Sequence, residues 1–566
     1  MAGIDFQSAL NPEQLAAVQA PDGPVLVIAA AGTGKTRTLT YRVAWLVERG
    51  VAANRILLLT FTNKAAREML ERADALVGSS VGGLWGGTFH HMANRILRRH
   101  ADALGYGFDF TILDQDDARS LVRACADELD LLGKHFPKPD VLLSLFSMAA
   151  NTEVPVEKVA RDRFEHYEVR PEDVVRVGES YIRRKRELNA MDFDDLLVNG
   201  LRLFRERNDL LEQYQERFLH VLVDEYQDTN KIQAEWVDLV AGRHRNLLVV
   251  GDDFQSIYSW RGADFRNILS FPKRYPNTTV FKLETNYRSI PEILDVANAC
   301  IAGNPEQYQK TIRAVRPRQA KPVLARVRDG DQQAAYVIEQ IRRFNRQGYD
   351  LKDMIVLYRS HFHAMELQLQ LSRERLPYVI TSGVRFFEQA HIKDVCAILR
   401  LMANPVDELS FLRLLGLLPK VGAKTGARIW SHLERRFNVH DAESRKRVRS
   451  SLPAAAKDDW DIIEDLLKDT DLQKKPGDAI SRFVDTFYAE YAVETFDNHD
   501  RRLEDIGELV NFTARFGSLD EFLSEMALQT NLDAEAENLL ETGQDCIRLS
   551  TIHQAKGLEW NTVFIL

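Results

Sequence analysis

The stretch PVLVIAAAGTGKT, residues 24–36, decides the fold. Its first seven residues form a short, continuously apolar run, which suits a strand buried on both faces of a parallel sheet. In the residues that follow, Gly32 and Gly34 let the backbone turn so that its N–H groups face a phosphate-sized concavity at the start of a helix, where the dipole favours anions. Lys35 is placed to neutralise the β- and γ-phosphates of a nucleoside triphosphate, and the Thr36 hydroxyl to ligate Mg²⁺. One position departs from the general pattern G-x-x-x-x-G-K-[ST]: Ala29 stands where it has its first glycine, ahead of Ala30, Ala31, Gly32, Thr33 and Gly34. The extra methyl is tolerated if residue 29 needs no positive φ. Taken alone, the imperfect motif leaves a loop unrelated to nucleotides open.

The second half of such a site is VLVDE, residues 221–225, an apolar strand ending in two carboxylates. Asp224 can hold Mg²⁺ through water, and Glu225 can polarise the attacking water as general base. Further β-rich runs are RILLLTFT (55–62), NLLVVGD (246–252), TTVFKLE (278–284), KPVLARV (321–327), MIVLYRS (354–360), CIRLSTI (546–552) and NTVFIL (561–566). Segments with helical spacing, such as KAAREMLERADALV (64–77) and DQQAAYVIEQIRRF (331–344), lie between them. This alternation predicts α/β layers. The strands cluster at 24–62, 220–284, 321–360 and 546–566, whereas about 89–215 and 376–540 read as mostly helical. Two α/β domains, each interrupted by a helical insertion, account for that distribution.

A chain of 566 residues exceeds what one hydrophobic core usually organises. Apolar residues at 45% and charged residues at 28% fit a globular protein without long disorder. The net charge of −9 does not announce a nucleic-acid binder, but large enzymes confine positive charge to a groove. RILRRH (95–100), RRKR (183–186) and SRKRVRS (444–450) are local basic clusters, each also readable as a solvated helix face. Cys125, Cys300, Cys396 and Cys546 are widely spaced, which fits a reducing compartment and disfavours a zinc site or disulfide framework. The N-terminus lacks a signal-peptide pattern, and no apolar run approaches the ~20 residues needed to span a bilayer. The expected location is cytoplasmic, without membrane partners.

Beyond residue 225 the chain continues DEYQDTN (224–230), GDDFQSIYSWRGA (251–263) and LETNYRS (283–289). Together with LNPEQLAAV (10–18), LTFTNKAAREM (59–69), GTFHHMANRIL (87–97), MDFDDLL (191–197) and STIHQAKGLEW (550–560), these segments resemble the ordered motifs of the UvrD/Rep/PcrA type of superfamily 1 DNA helicases. The resemblance runs from near residue 10 to the last residue. It implies two RecA-like P-loop motor domains, the first at 1–110 and 190–280 and the second, shortened at its end, at 281–375 and 546–566. Helical insertions would occupy 111–189 and 376–545.

The same resemblance implies roles for individual residues. Gln14 matches the adenine-reading glutamine, Arg37 and Tyr287 flank the adenosine, and Glu559 matches a ribose contact. Gln255 matches the γ-phosphate sensor, and Arg288 the arginine that reaches that phosphate from the second motor domain. Phe61, Phe193, Tyr258 and Trp260 match aromatics of the single-strand channel, where any base can stack at ~1–3 kcal/mol. Thr88, His90 and Arg359 match backbone-contacting positions. ATP and Mg²⁺ are the implied ligands, and single-stranded and duplex DNA the implied partners of a monomer. The implied activity is 3′ to 5′ movement on one strand with displacement of its complement, in repair, replication or recombination.

Two features depart from the family pattern. The chain stops at NTVFIL, a strand that in the family leads on to a motif supplying an arginine to the triphosphate, so a longer native chain is expected. PKVGAKTGARI (419–429) reads equally as a Gly-rich turn near duplex phosphates or as a packing corner between helices. The rival readings are an ATP-gated DNA-binding protein without productive turnover and the motor portion of a helicase–nuclease.

Overall fold

The computed structural model describes residues 4–78, 83–131, 136–165, 169–259, 262–380, 386–404, 406–469, 475–519, 521–523, 526 and 545–566. The chain divides into two compact units, one of residues 1–129, 142–165 and 170–324, the other of 130–141, 166–169 and 325–566.

The first unit is organised by strands β1 (Val25–Ala29), β2 (Ile56–Thr60), β3 (Trp85–Thr88), β4 (His220–Val223), β5 (Leu247–Gly251) and β6 (Thr279–Leu283). They form a parallel sheet in the order β3-β2-β4-β5-β1-β6. Its two faces belong to separate cores. Leu26, Ile28, Leu57, Leu59, Val221 and Val223 pack on one side, and Val25, Val27, Ile56, Leu58, Leu222 and Leu248 on the other. Alternate side chains point to opposite faces of a strand, so burial of both faces requires the continuous apolar runs seen in the sequence.

The edge strand β3, Trp-Gly-Gly-Thr, is illegible as a strand because glycine is depleted there. Its glycines admit close packing: a Cβ at Gly86 would lie 2.5 Å from Leu70 Cδ2 and one at Gly87 2.8 Å from Met92 Cε. A two-residue parallel ladder pairs Thr111 with Ala190 and Ile112 with Met191, so the chain leaves and rejoins the sheet domain at neighbouring points. Helices Gln115–Glu128, Pro139–Thr152, Val156–Arg163 and Pro171–Glu187 lie between them in sequence.

In the second unit β7 (Met354–Tyr358), β8 (Tyr378–Ile380), β9 (Ile547–Thr551) and β10 (Thr562–Ile565) form a parallel sheet in the order β8-β9-β7-β10. The described residues between β8 and β9 are mostly helical, around a core that includes Phe411, Trp430, Phe437 and Trp460. In the 419–429 stretch, Gly422 is the N-cap of helix Ala423–His432, which packs beside helix Glu408–Gly416.

Two sequence-based expectations need correction. KPVLARV (321–327) is not a strand; it joins no ladder, and Val323 and Leu324 are 79% and 85% exposed. A strand exists only with a hydrogen-bonding neighbour, which an apolar run cannot supply for itself. Strand β6, whose pairing with β1 runs from Thr279 to Leu283, spans the expected boundary at 280/281, and the first compact unit continues to Leu324. The boundary expected at 375/376 falls just short of β8, a three-residue strand too brief to read from pattern.

Candidate nucleotide site and strand-binding aromatics

The site is built at the carboxyl ends of β1, β4 and β5, where loops leave a parallel sheet and ligands of α/β folds gather. Ala29 is the last residue of β1, fully buried and with ordinary strand φ, so its methyl group occupies no position that only glycine can fill. Gly32 and Gly34 do require glycine, at φ +69° and +86°. A Cβ at Gly32 would lie 2.7 Å from Arg288 Cβ, and one at Gly34 2.6 Å from Gln14 Nε2. Gly34 caps helix Lys35–Glu48 in the left-handed conformation with no side-chain cap bond. The loop is held from behind by Thr33, whose hydroxyl donates to the Ala30 carbonyl at 2.7 Å.

Lys35 Nζ donates to Glu225 Oε2 at 2.9 Å, joining the loop to the carboxylates that follow β4. Burial pulls the Lys35 ammonium down, but Glu225, Asp252 and Asp224 outweigh it and hold its pKa above the ordinary value. Burial and neighbouring Glu225 push the buried Asp224 carboxyl up, to about 7, against the pull of Lys35. Several carboxylates thus crowd one lysine, an excess of negative charge that a divalent cation would balance. Thr36 and Asp224 provide one hydroxyl and one carboxylate, the small protein share that Mg²⁺ takes when phosphates supply other ligands. These residues fit a Mg²⁺-bound triphosphate.

Behind Glu225, in the left-handed region at φ +49°, a polar chain links β4 to β5. Gln227 Nε2 donates to Glu225 Oε2 at 2.7 Å, and its Oε1 accepts from the Asp252 N–H at 2.9 Å. Asp252 Oδ2 in turn accepts from Gln255 Nε2 at 2.6 Å. Gln227 and Asp252 are buried participants that sequence reading passed over, although both lie within quoted motifs.

The residues expected on the adenine side assemble at the N-terminal helix Pro12–Val18. Gln14 Oε1 accepts from the Asn11 N–H at 3.2 Å, and Gln14 Nε2 donates to the Thr33 carbonyl at 2.9 Å. A carboxamide offers two N–H bonds and two lone pairs, so a donor and an acceptor remain for a base edge. Asn11 Nδ2 donates to the Tyr287 hydroxyl at 2.7 Å, and Arg37 Nη2 donates to the Ala9 carbonyl at 2.8 Å. Asn286, also unforeseen, donates to the Ala31 carbonyl at 2.6 Å and accepts from the Arg288 N–H at 2.9 Å. Arg288 thus lies in the same compact unit as the phosphate loop.

Among the expected DNA contacts, Phe61 and Tyr258 stack with ring centroids 5.7 Å apart and planes inclined by 14°. Phe193 is 59% exposed, with its ring 5.8 Å from that of His90. Burial lowers the His90 pKa against the pull of Asp194, so the imidazole is neutral at pH 7. The Thr88 hydroxyl accepts from the His91 N–H at 3.3 Å as a helix N-cap and still has its own proton to donate. Trp260 lies outside the described residues. In the second unit, Arg359 is exposed directly after β7, and Glu559 is exposed on the turn before β10.

A phosphate loop and paired strand-end carboxylates on a parallel sheet are the features of a P-loop nucleotide hydrolase. The comparisons give the family. Residues 10–276 match the UvrD/REP helicase N-terminal domain, and residues 281–566 match the UvrD-like helicase C-terminal domain. The ATP-dependent DNA helicase PcrA of Bacillus subtilis (strain 168) is 37% identical over 584 residues, covering 99% of this chain and 77% of that protein. The protein of the same name from Staphylococcus aureus (strain Mu50) is 34% identical over 579 residues, covering 98% of this chain and 77% of its own length. The chain belongs to the UvrD-like family of ATP-dependent DNA helicases.

Proposed function

We propose that ATP is bound and hydrolysed at the loop of residues 32–36, and that turnover drives the chain 3′ to 5′ along single-stranded DNA while displacing the complement. The activity serves DNA repair, replication or recombination. The observation that carries the site assignment is the Lys35–Glu225 ion pair, which brings the phosphate loop against the carboxylates after β4.

Loop N–H groups and Lys35 receive the β- and γ-phosphates. As Lys35 turns from Glu225 to phosphate, the Glu225 carboxylate is released to accept a proton from the attacking water. Thr36 and Asp224 would hold Mg²⁺, which when bound neutralises charge on the phosphate oxygens. Gln255 senses the γ-phosphate, and Arg288 stabilises its developing charge. Gln14 reads the adenine edge with the donor and acceptor it retains, Arg37 and Tyr287 flank the adenosine, and Glu559 contacts the ribose. Phe61, Tyr258, Trp260 and Phe193 stack with successive bases, while Thr88, His90 and Arg359 bind the backbone. The working form is a monomer in the cytoplasm; among the described residues no helix is long and apolar enough to cross a membrane.

The test is steady-state ATP hydrolysis with and without a thymidine oligonucleotide, together with displacement from duplexes bearing a 3′ or a 5′ single-stranded tail. DNA should stimulate hydrolysis, displacement should need the 3′ tail, and Lys35→Ala should lower turnover on the order of 10³-fold. DNA binding that depends on an ATP analogue, without turnover, would replace this reading with an ATP-gated clamp.

A further inference from the structure

One buried cation in the first unit has no part in the site described so far. The Lys310 side chain is fully shielded from solvent, and its Nζ donates to Asp252 Oδ1 at 2.7 Å and also to Asp253 Oδ1. It lies 3.6 Å from the centroid of the Phe254 ring. The segment that carries it is pinned on both sides: the Tyr308 N–H donates to Asp253 Oδ2 at 2.8 Å, and the Thr311 N–H to Glu284 Oε1 at 2.8 Å. Lys310 comes from more than fifty residues beyond its partners, at a sequence separation of 58 from Asp252.

Asp252 receives Lys310 on one carboxylate oxygen and the Gln255 amide on the other, at 2.6 Å. A carboxylate paired with an ammonium group accepts hydrogen bonds and donates none, so it fixes which end of the Gln255 carboxamide faces it. The Nε2 group is held toward Asp252, which leaves Oε1 as the acceptor end of the carboxamide. Without the cation, two buried carboxylates would be left side by side, and nothing would hold Asp252 as a fixed acceptor for the Gln255 amide.

We propose that Lys310 is a positioning residue for hydrolysis: by holding Asp252 as an acceptor, it sets the orientation of the Gln255 amide at the γ-phosphate. The assignment rests on the reading of the loop and Gln255 as an ATP hydrolysis site. It adds a residue outside the motifs quoted above, supplied by the chain that follows β6.

The test is a double-mutant cycle in DNA-stimulated ATP hydrolysis, using the full chain with thermal melting and binding of a fluorescent ATP analogue measured in parallel. Lys310→Met should lower kcat about tenfold, as expected for a lost hydrogen-bond orientation, and leave the KM for ATP within about twofold. In a Gln255→Ala background the same substitution should add no further loss, because its effect passes through the amide. Equal losses in both backgrounds, or an unchanged kcat, would overturn the proposal. If Lys310→Met does not fold, Asp252→Asn takes its place, with the same non-additivity expected and additivity again decisive against it. A wild-type chain that does not hydrolyse ATP would remove the underlying site assignment, whereas a wild type that is active and sensitive to Lys35→Ala isolates the role of Lys310.

Discussion

At the carboxyl ends of the first parallel sheet lie the phosphate loop after β1, Asp224 and Glu225 after β4, and Asp252 after β5. At the same ends of the second sheet, β7 leads into exposed Arg359 and β9 into His553, a histidine that burial, Arg359 and Arg501 hold below its ordinary pKa. Ser360 beside Arg359 donates to Asp505 Oδ1 at 2.8 Å, tying that strand end to helix His499–Thr513. Both are parallel sheets, but the first presents carboxylates paired with Lys35 and Lys310, and the second presents exposed Arg359. The loops on a common scaffold, rather than the scaffold itself, set the chemistry.

The largest way to break this contrast is Gly34→Ala. The left-handed φ strains any L side chain by ~1–3 kcal/mol, and a methyl group would displace Gln14 Nε2, 2.6 Å away. ATP-analogue affinity should fall at least about tenfold, measured by fluorescence titration. Phe61→Ala removes one face of the Phe61–Tyr258 stack and should weaken binding of a thymidine oligonucleotide by ~1–3 kcal/mol, with ATP-analogue affinity retained.

A change in pH sharpens the comparison from within the first sheet. Burial lowers His220, at the start of β4, to about 4, with Asp22 opposing. The unfolded chain then binds a proton that the folded chain refuses, so this histidine's contribution to stability is intact above about pH 6.5 and is lost as pH falls toward about 4. His220→Gln should flatten the melting temperature across that window, as followed by circular dichroism. The smallest expected effect belongs to the second sheet: Arg359→Ala should reduce the salt dependence of single-strand binding by about one phosphate contact and leave DNA-independent ATP hydrolysis unchanged.

How much could be read in advance depended on the range of the interaction involved. The runs at 24–30, 55–62, 220–225 and 246–252 were legible because strands buried on both faces must be apolar throughout. That Lys35 meets Glu225 was legible because the two motifs carry restricted residue types at fixed spacing from their strands. Gln227 and Asp252 sat inside readable motifs, but only their hydrogen bonds reveal that they join Glu225 to Gln255. KPVLARV failed for the opposite reason, since its composition is that of a strand and its surroundings offer no pairing.

By itself the sequence determined the α/β class, the order of the motifs and the identity of the phosphate loop, because backbone geometry and ligand chemistry act over a few neighbouring residues. Tertiary structure alone decided that Ala29 is harmless, that Arg288 lies beside Gly32, and that Lys310 neutralises Asp252 and Asp253. Each of these depends on which distant segments a parallel sheet places side by side, and such neighbours share no spacing along the chain.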